Sequence, residues 1–124
     1  MKINEAIAKC DLMYPNTITD TDKINLLSQL DGRIKAEIYD KYDINEGDWF
    51  TGYPQDTPQD TDLLVPFPFD NIYVSWLVAN MYLIMGEHNS YNDWLTIFNN
   101  EWDSYERYFA FNHSKRELAD FKYF

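Results

Sequence analysis

Between Pro66 and Asn112 the chain gathers most of its large aromatic side chains into two segments of helical period, joined by a link too short to hold them apart. In the first, Ile72, Tyr73, Trp76, Leu77, Asn80, Leu83 and Ile84 recur at steps of three and four, which places one mostly apolar stripe on a single helical face. Asp70 follows Pro68 and has the chemistry of an N-cap, and Gly86 supplies a stop. In the second, Tyr91, Leu95, Phe98, Trp102, Tyr105 and Phe109 continue a stripe, and Ser90 with Asp93 has the spacing of a capping box. A link from Gly86 to Ser90 leaves two such stripes little choice but to face each other as antiparallel helices.

Other helices fit around this pair. Ile3, Ile7, Cys10 and Met13 make a short stripe that ends at Pro15, because proline disfavours helical geometry in the residue before it. Thr19 and Asp22 open a longer helix in which Ile24, Leu27, Leu30, Ile34 and Ile38 share a face, with Lys23, Arg33, Lys35, Glu37 and Lys41 largely outside it. Helical period then disappears from Tyr42 to Pro66. Trp49–Tyr53 and Thr61–Val65 are rich in strand formers and flank turn formers from Pro54 to Asp60, which predicts a two-stranded hairpin. The expectation is therefore a mainly α fold: four helices near residues 3–13, 20–42, 70–86 and 90–111, with a small β-hairpin insertion at about 47–66 between the second and third. One domain covers 1–116, and an aromatic tail covers 117–124, where Leu118, Phe121, Tyr123 and Phe124 close the chain.

Charge restricts function more than it restricts fold. The net charge of −11 argues against tight binding of duplex or single-stranded nucleic acid through a basic face. Residues 43–71 hold seven acids (Asp43, Glu46, Asp48, Asp56, Asp60, Asp62 and Asp70) and no Lys or Arg, whereas residues 1–42 hold seven acids and six bases. No apolar run approaches the roughly 18 residues that span a bilayer, and Met1–Glu5 does not open a secretory signal, so no membrane association and a cytoplasmic address are expected.

Catalytic and metal chemistry finds no foothold in the spacing. Asp43–Asp48 superficially resembles a calcium loop, but Gly47 stands at the fifth position rather than the sixth, and Pro54 takes the place of the bidentate acid. Asp56, Asp60 and Asp62 read as solvated loop carboxylates before they read as cation ligands. His88 and His113 have no nucleophile motif beside them, Glu101, Asp103 and Glu106 are the polar face of an amphipathic helix, and lone Cys10 reads as a small buried hydrophobe. No enzyme, no cofactor and no metal are expected.

The run Phe50-Thr51-Gly52-Tyr53, then Asp62-Leu63-Leu64-Val65-Pro66-Phe67-Pro68-Phe69-Asp70, Tyr73, Trp76-Leu77, Gly86-Glu87, Tyr91-Asn92, Phe98-Asn99 and Tyr108 resembles a group of small tailed-phage or prophage morphogenesis proteins, the head-tail connectors or adaptors. The likeness spans roughly residues 49–116 and extends more loosely to Leu30-Asp31-Gly32-Arg33-Ile34. Val78, Phe67 and the Leu118–Phe124 ending depart from the pattern. The resemblance implies a subunit that forms a homo-oligomeric ring beneath the portal protein, against neighbouring head-tail joining proteins in the virion neck, after assembly in the bacterial host cytoplasm. It transfers no catalytic residue. A projecting acidic segment and an apolar ending would give a ring subunit two different contact surfaces, with Trp49, Phe50, Tyr53, Asp56, Asp60, Asp62, Leu118, Phe121, Tyr123 and Phe124 as the candidate assembly contacts. Seven carboxylates per segment would favour a monomer in isolation. The other reading of such an acidic helical chain is a DNA mimic or inhibitor that occupies a nucleic-acid-binding partner.

Overall fold

A computed structural model describes residues 1–42 and 50–121, with side chains described to Asn112. Helix α1 spans Ile3–Met13 and buries Ile3, Ala6, Ile7 and Cys10, while Met13 lies outside the packed face. Tyr14, just before Pro15, is extended and ends the helix. Helix α2 spans Asp20–Ile34 and starts where Thr19 Oγ1 accepts the Asp22 backbone N–H at 3.2 Å. All five residues of its predicted stripe are buried. The rod continues through a π-helical turn at Lys35–Tyr39 into α3, Asp40–Tyr42. A widened turn shifts the facing of the residues that follow it, and here two consecutive side chains, Ile38 and Tyr39, both point inward.

Helix α4, Ile72–Ile84, is the centre of the molecule, packed on α1, α2 and α5. The single stripe expected for it is too narrow. Val74, Val78, Ala79 and Met81 are buried along with Ile72, Tyr73 and Leu77, whereas Leu83 and Ile84 at the far end are exposed. A helix clad on several sides carries apolar residues around most of its circumference, so no single face can be assigned from periodicity. Its start also differs from expectation. Asn71 occupies the cap position in helical geometry, and the Asp70 carboxylate instead faces the Met1 amine at 3.3 Å.

Gly86 does stop α4. At φ +76° it lets its own N–H reach the Leu83 carbonyl and the Glu87 N–H reach the Tyr82 carbonyl, closing the last turn. Helix α5 then runs antiparallel from His88 to Phe121, starting earlier than Ser90 and passing the predicted end at 111, so Ser90 lies within the first turn instead of capping it. Phe98, Tyr105 and Phe109 of its stripe are buried; the Trp76 and Phe98 rings pack at 5.1 Å between centroids, a contact worth about 1 kcal/mol beyond area burial.

The predicted hairpin is not formed. Among the described residues there is no strand, only an isolated antiparallel bridge between Lys2 and Asp62. The strand-forming residues of this segment bond to other partners than one another. Ile3 N donates to the Thr61 carbonyl, Asn4 N to Gln59 and Leu63 N to Met1, while the far end of the segment bonds to helix side chains. The fold is thus mainly α with an irregular strap between its second and third long helices.

Candidate functional site

The strap is organised by one carboxylate. Asp31 lies on the buried side of α2, one turn beyond Leu27, and is wholly inaccessible to solvent. One oxygen accepts the Tyr73 hydroxyl at 2.6 Å; the other accepts the Tyr53 hydroxyl and the Leu64 backbone N–H at 3.2 Å. Tyr73 in turn accepts the Val65 N–H at 2.6 Å, and Tyr39 donates to the Leu64 carbonyl at 3.3 Å. Near the other end, Ser28 Oγ accepts the Tyr53 N–H at 2.8 Å, and Gly52, at φ +111°, sits where a Cβ would approach that oxygen to 3.2 Å. Three polar residues of α2 and the π-turn, with Tyr73 of α4, therefore hold both ends of the strap, while its middle is bonded to the backbone of Met1, Ile3 and Asn4.

No ion pair involves Asp31 among the described residues. Burial raises its pKa above the ordinary carboxylate value, against the opposing pull of its hydrogen bonds from Tyr53, Tyr73 and Leu64. Burial, and then the Asp31 charge, push both tyrosine hydroxyls well above their ordinary range, so both remain donors at neutral pH. Cys10 is likewise pushed up to about 11, by burial first and then by Asp11, which makes it a packed thiol and not a nucleophile.

This arrangement divides the candidate contacts. Phe50 is buried and meets Tyr53 edge-on at 4.9 Å between centroids, so these two aromatics anchor the strap from inside and do not form an outer contact surface. Asp56, Asp60 and Asp62 are exposed along the strap's outer side. Lys2 Nζ lies 3.2 Å from Asp62 and donates to the Asp60 carbonyl at 3.1 Å. They do not converge on a cation: among the described residues, no three His, Cys, Asp or Glu side chains are gathered as metal ligands. Leu118 and Phe121 lie on the helical backbone of α5, and their side chains, like Trp49, Tyr123 and Phe124 entirely, fall outside the described residues. His88 is exposed at the start of α5.

Asp31 and Tyr39 are the residues that periodicity alone passes over. The signal was present: an acid one turn from Leu27 and three residues before Ile34 lies inside the apolar stripe, where a charge needs a reason. No helix among the described residues is long and apolar enough to cross a membrane. Comparison of the chain with protein-family models, with curated proteins and with solved structures finds no match.

Proposed function

We propose that this protein is a virion morphogenesis subunit of a tailed phage or prophage, a head-tail connector that joins a homo-oligomeric ring beneath the portal. The observation that carries the reading is the clamped strap. Tyr53, Leu64, Val65, Tyr73 and Asp31 all belong to the residue pattern that resembles the connector group, and in this chain they are the groups that hydrogen-bond one another to fix the strap. The pattern therefore describes how a surface is positioned. On that surface Asp56, Asp60 and Asp62 are exposed, and with Lys2 paired to Asp62 they leave it net negative. A ring through which DNA slides benefits from repelling phosphates, and a negative surface held by a rigid helical body does so without ordering cost at assembly.

The test is assembly on a portal. The parent chain, a version truncated after Arg116, and a version with Asp56, Asp60 and Asp62 changed to Asn are each mixed with the portal protein of the phage or prophage that encodes the chain and imaged by electron microscopy. A ring of the parent chain seated on the portal, weakened in either variant, is the expected result. Failure of the parent chain to join the portal at low and high salt would overturn the reading.

A further inference from the structure

At the entry to α4 a cleft of about 230 Å³ opens between the strap's end and α5, lined by Pro68, Phe69, Asn100, Glu101 and Ser104. Its charge is supplied by Glu101. Asn71 Nδ2 donates to Glu101 Oε2 at 3.0 Å, which sets the plane of the carboxylate. The second oxygen, Oε1, is shut off from the surface and has no hydrogen-bond partner among the described residues. Neither does any ion pair among those residues include Glu101. A carboxylate with one oxygen desolvated and no counter-charge attracts a cation more strongly than a fully hydrated one, because less solvent screens it. The rest of the lining offers no cation, only the Phe69 ring and the neutral polar side chains of Asn100 and Ser104.

We propose that this cleft receives an arginine side chain of a partner protein. A guanidinium stacks flat on an aromatic ring while its fork of N–H donors reaches several acceptors, a combination an ammonium does not provide. Here the ring is Phe69 and the acceptors are Glu101 Oε2, the Asn100 side-chain carbonyl and Ser104 Oγ. The source is a protein chain, not a free small cation, because the cleft wall is continuous with an exposed aromatic surface. Phe69 packs on Tyr108 at 4.7 Å between centroids, Tyr108 is 50% exposed, and Phe67, two residues before Phe69, is 84% exposed. Residues flanking an inserted arginine would cover these rings, which a lone guanidinium could not. The chain's net charge of −11 favours approach of such a basic partner.

The probe is the blocked tripeptide acetyl-Leu-Arg-Leu-amide, titrated into the full chain while backbone and side-chain amide shifts are followed by NMR. Its citrulline analogue keeps the shape and loses the charge. Expected are saturable shifts at Phe69, Asn71, Asn100, Glu101 and Ser104, with affinity for the citrulline peptide weaker by roughly tenfold or more. Glu101→Gln should lose the arginine preference while keeping the parent's spectrum elsewhere. Ser104→Lys, which places a cation one turn from Glu101 on an exposed position, should block the peptide and raise the melting temperature. Equal binding of both peptides, an arginine preference that survives in Glu101→Gln, or no saturable shift at these residues would each overturn the proposal.

Discussion

Tyr73 donates its hydroxyl to Asp31 at 2.6 Å across 42 residues of sequence, and the same oxygen accepts the Val65 N–H. One phenol thus joins the central helix, α2 and the strap. Tyr73→Phe removes no packing atoms beyond the hydroxyl, yet it strips an acceptor from a buried amide and a donor from a buried carboxylate. Unsatisfied buried groups cost about 1–3 kcal/mol each, so the expected loss is on the order of 2–3 kcal/mol, a large share of a small domain's stability. Tyr53→Phe should cost less, because Tyr53 is only half-buried. Urea denaturation of the two variants measures this, and parent-like stability in Tyr73→Phe would show that the hydroxyl is not the strap's anchor.

The same carboxyl sets a pH dependence. Its folded-state pKa is raised above 3.8, so between that value and the raised one the unfolded chain has released the proton while the native chain still holds it. Stability then falls as pH rises through this window, by at most about 1.4 kcal/mol per pH unit. Asp31→Asn removes the titration. The expected signature is a difference in unfolding free energy, parent minus Asp31→Asn, that is level and largest below pH 3.8 and shrinks as the pH rises through the raised value. A difference that grows toward neutral pH would mean that the hydrogen bonds outweigh burial.

Why the helices were legible and the strap was not comes down to the range of the interactions. Ile24, Leu27, Leu30, Ile34 and Ile38 declare a face through spacing within their own helix, and the turn at Gly86 depends on backbone conformation at one residue. The 50–66 segment has strand-forming composition, but apart from local turn bonds its hydrogen bonds go to Met1, Ser28 and Asp31, remote in sequence, and to Tyr73, eight residues beyond Val65; composition does not choose between a strand partner and a helix side chain. The candidate site shares this fate: in the sequence Phe50 and Tyr53 read as outward aromatics, whereas Asp31 and Ser28 draw Tyr53 inward and Phe50 is buried beside it. Leu83 and Ile84 failed for the opposite reason, since they keep the helical period beyond the point where neighbouring helices cover it.

Gly86 isolates a backbone effect. A Cβ built there would meet nothing within 4 Å, so Gly86→Ala introduces no clash, only the cost of φ +76° in a residue with a side chain. That cost is about 1–2 kcal/mol. Gly86→Asn should recover part of it, because asparagine tolerates left-handed geometry. Thermal unfolding of the two variants gives the comparison, and an alanine variant as stable as the parent would indicate that the α4–α5 turn has an alternative closure.

Lys23 offers a sharper asymmetry. Its side chain is 2% exposed and its ammonium sits 2.7 Å from Asp11, which is 42% exposed. The sequence pattern sets it largely outside the apolar stripe, yet it is among the largest fully buried side chains. Removing one partner of a buried pair strands the other, whereas replacing the buried charge with an apolar group of similar shape is often neutral or favourable. Asp11→Ala leaves an ammonium buried without its counter-charge, and it also removes the acceptor of the Asn16 side-chain amide at 3.1 Å. Breaking such a pair costs 3–5 kcal/mol when both charges are buried; water at the exposed carboxylate screens part of this, which lowers the expectation to about 2 kcal/mol. Lys23→Met, which keeps the length and loses the charge, should change stability by less than about 1 kcal/mol in either direction. The double variant should then be more stable than Asp11→Ala alone, because methionine relieves the stranded charge. Urea midpoints of the three variants decide the matter: if Lys23→Met destabilises as much as Asp11→Ala, the ion pair contributes net stability here and the ordering argued from desolvation is wrong.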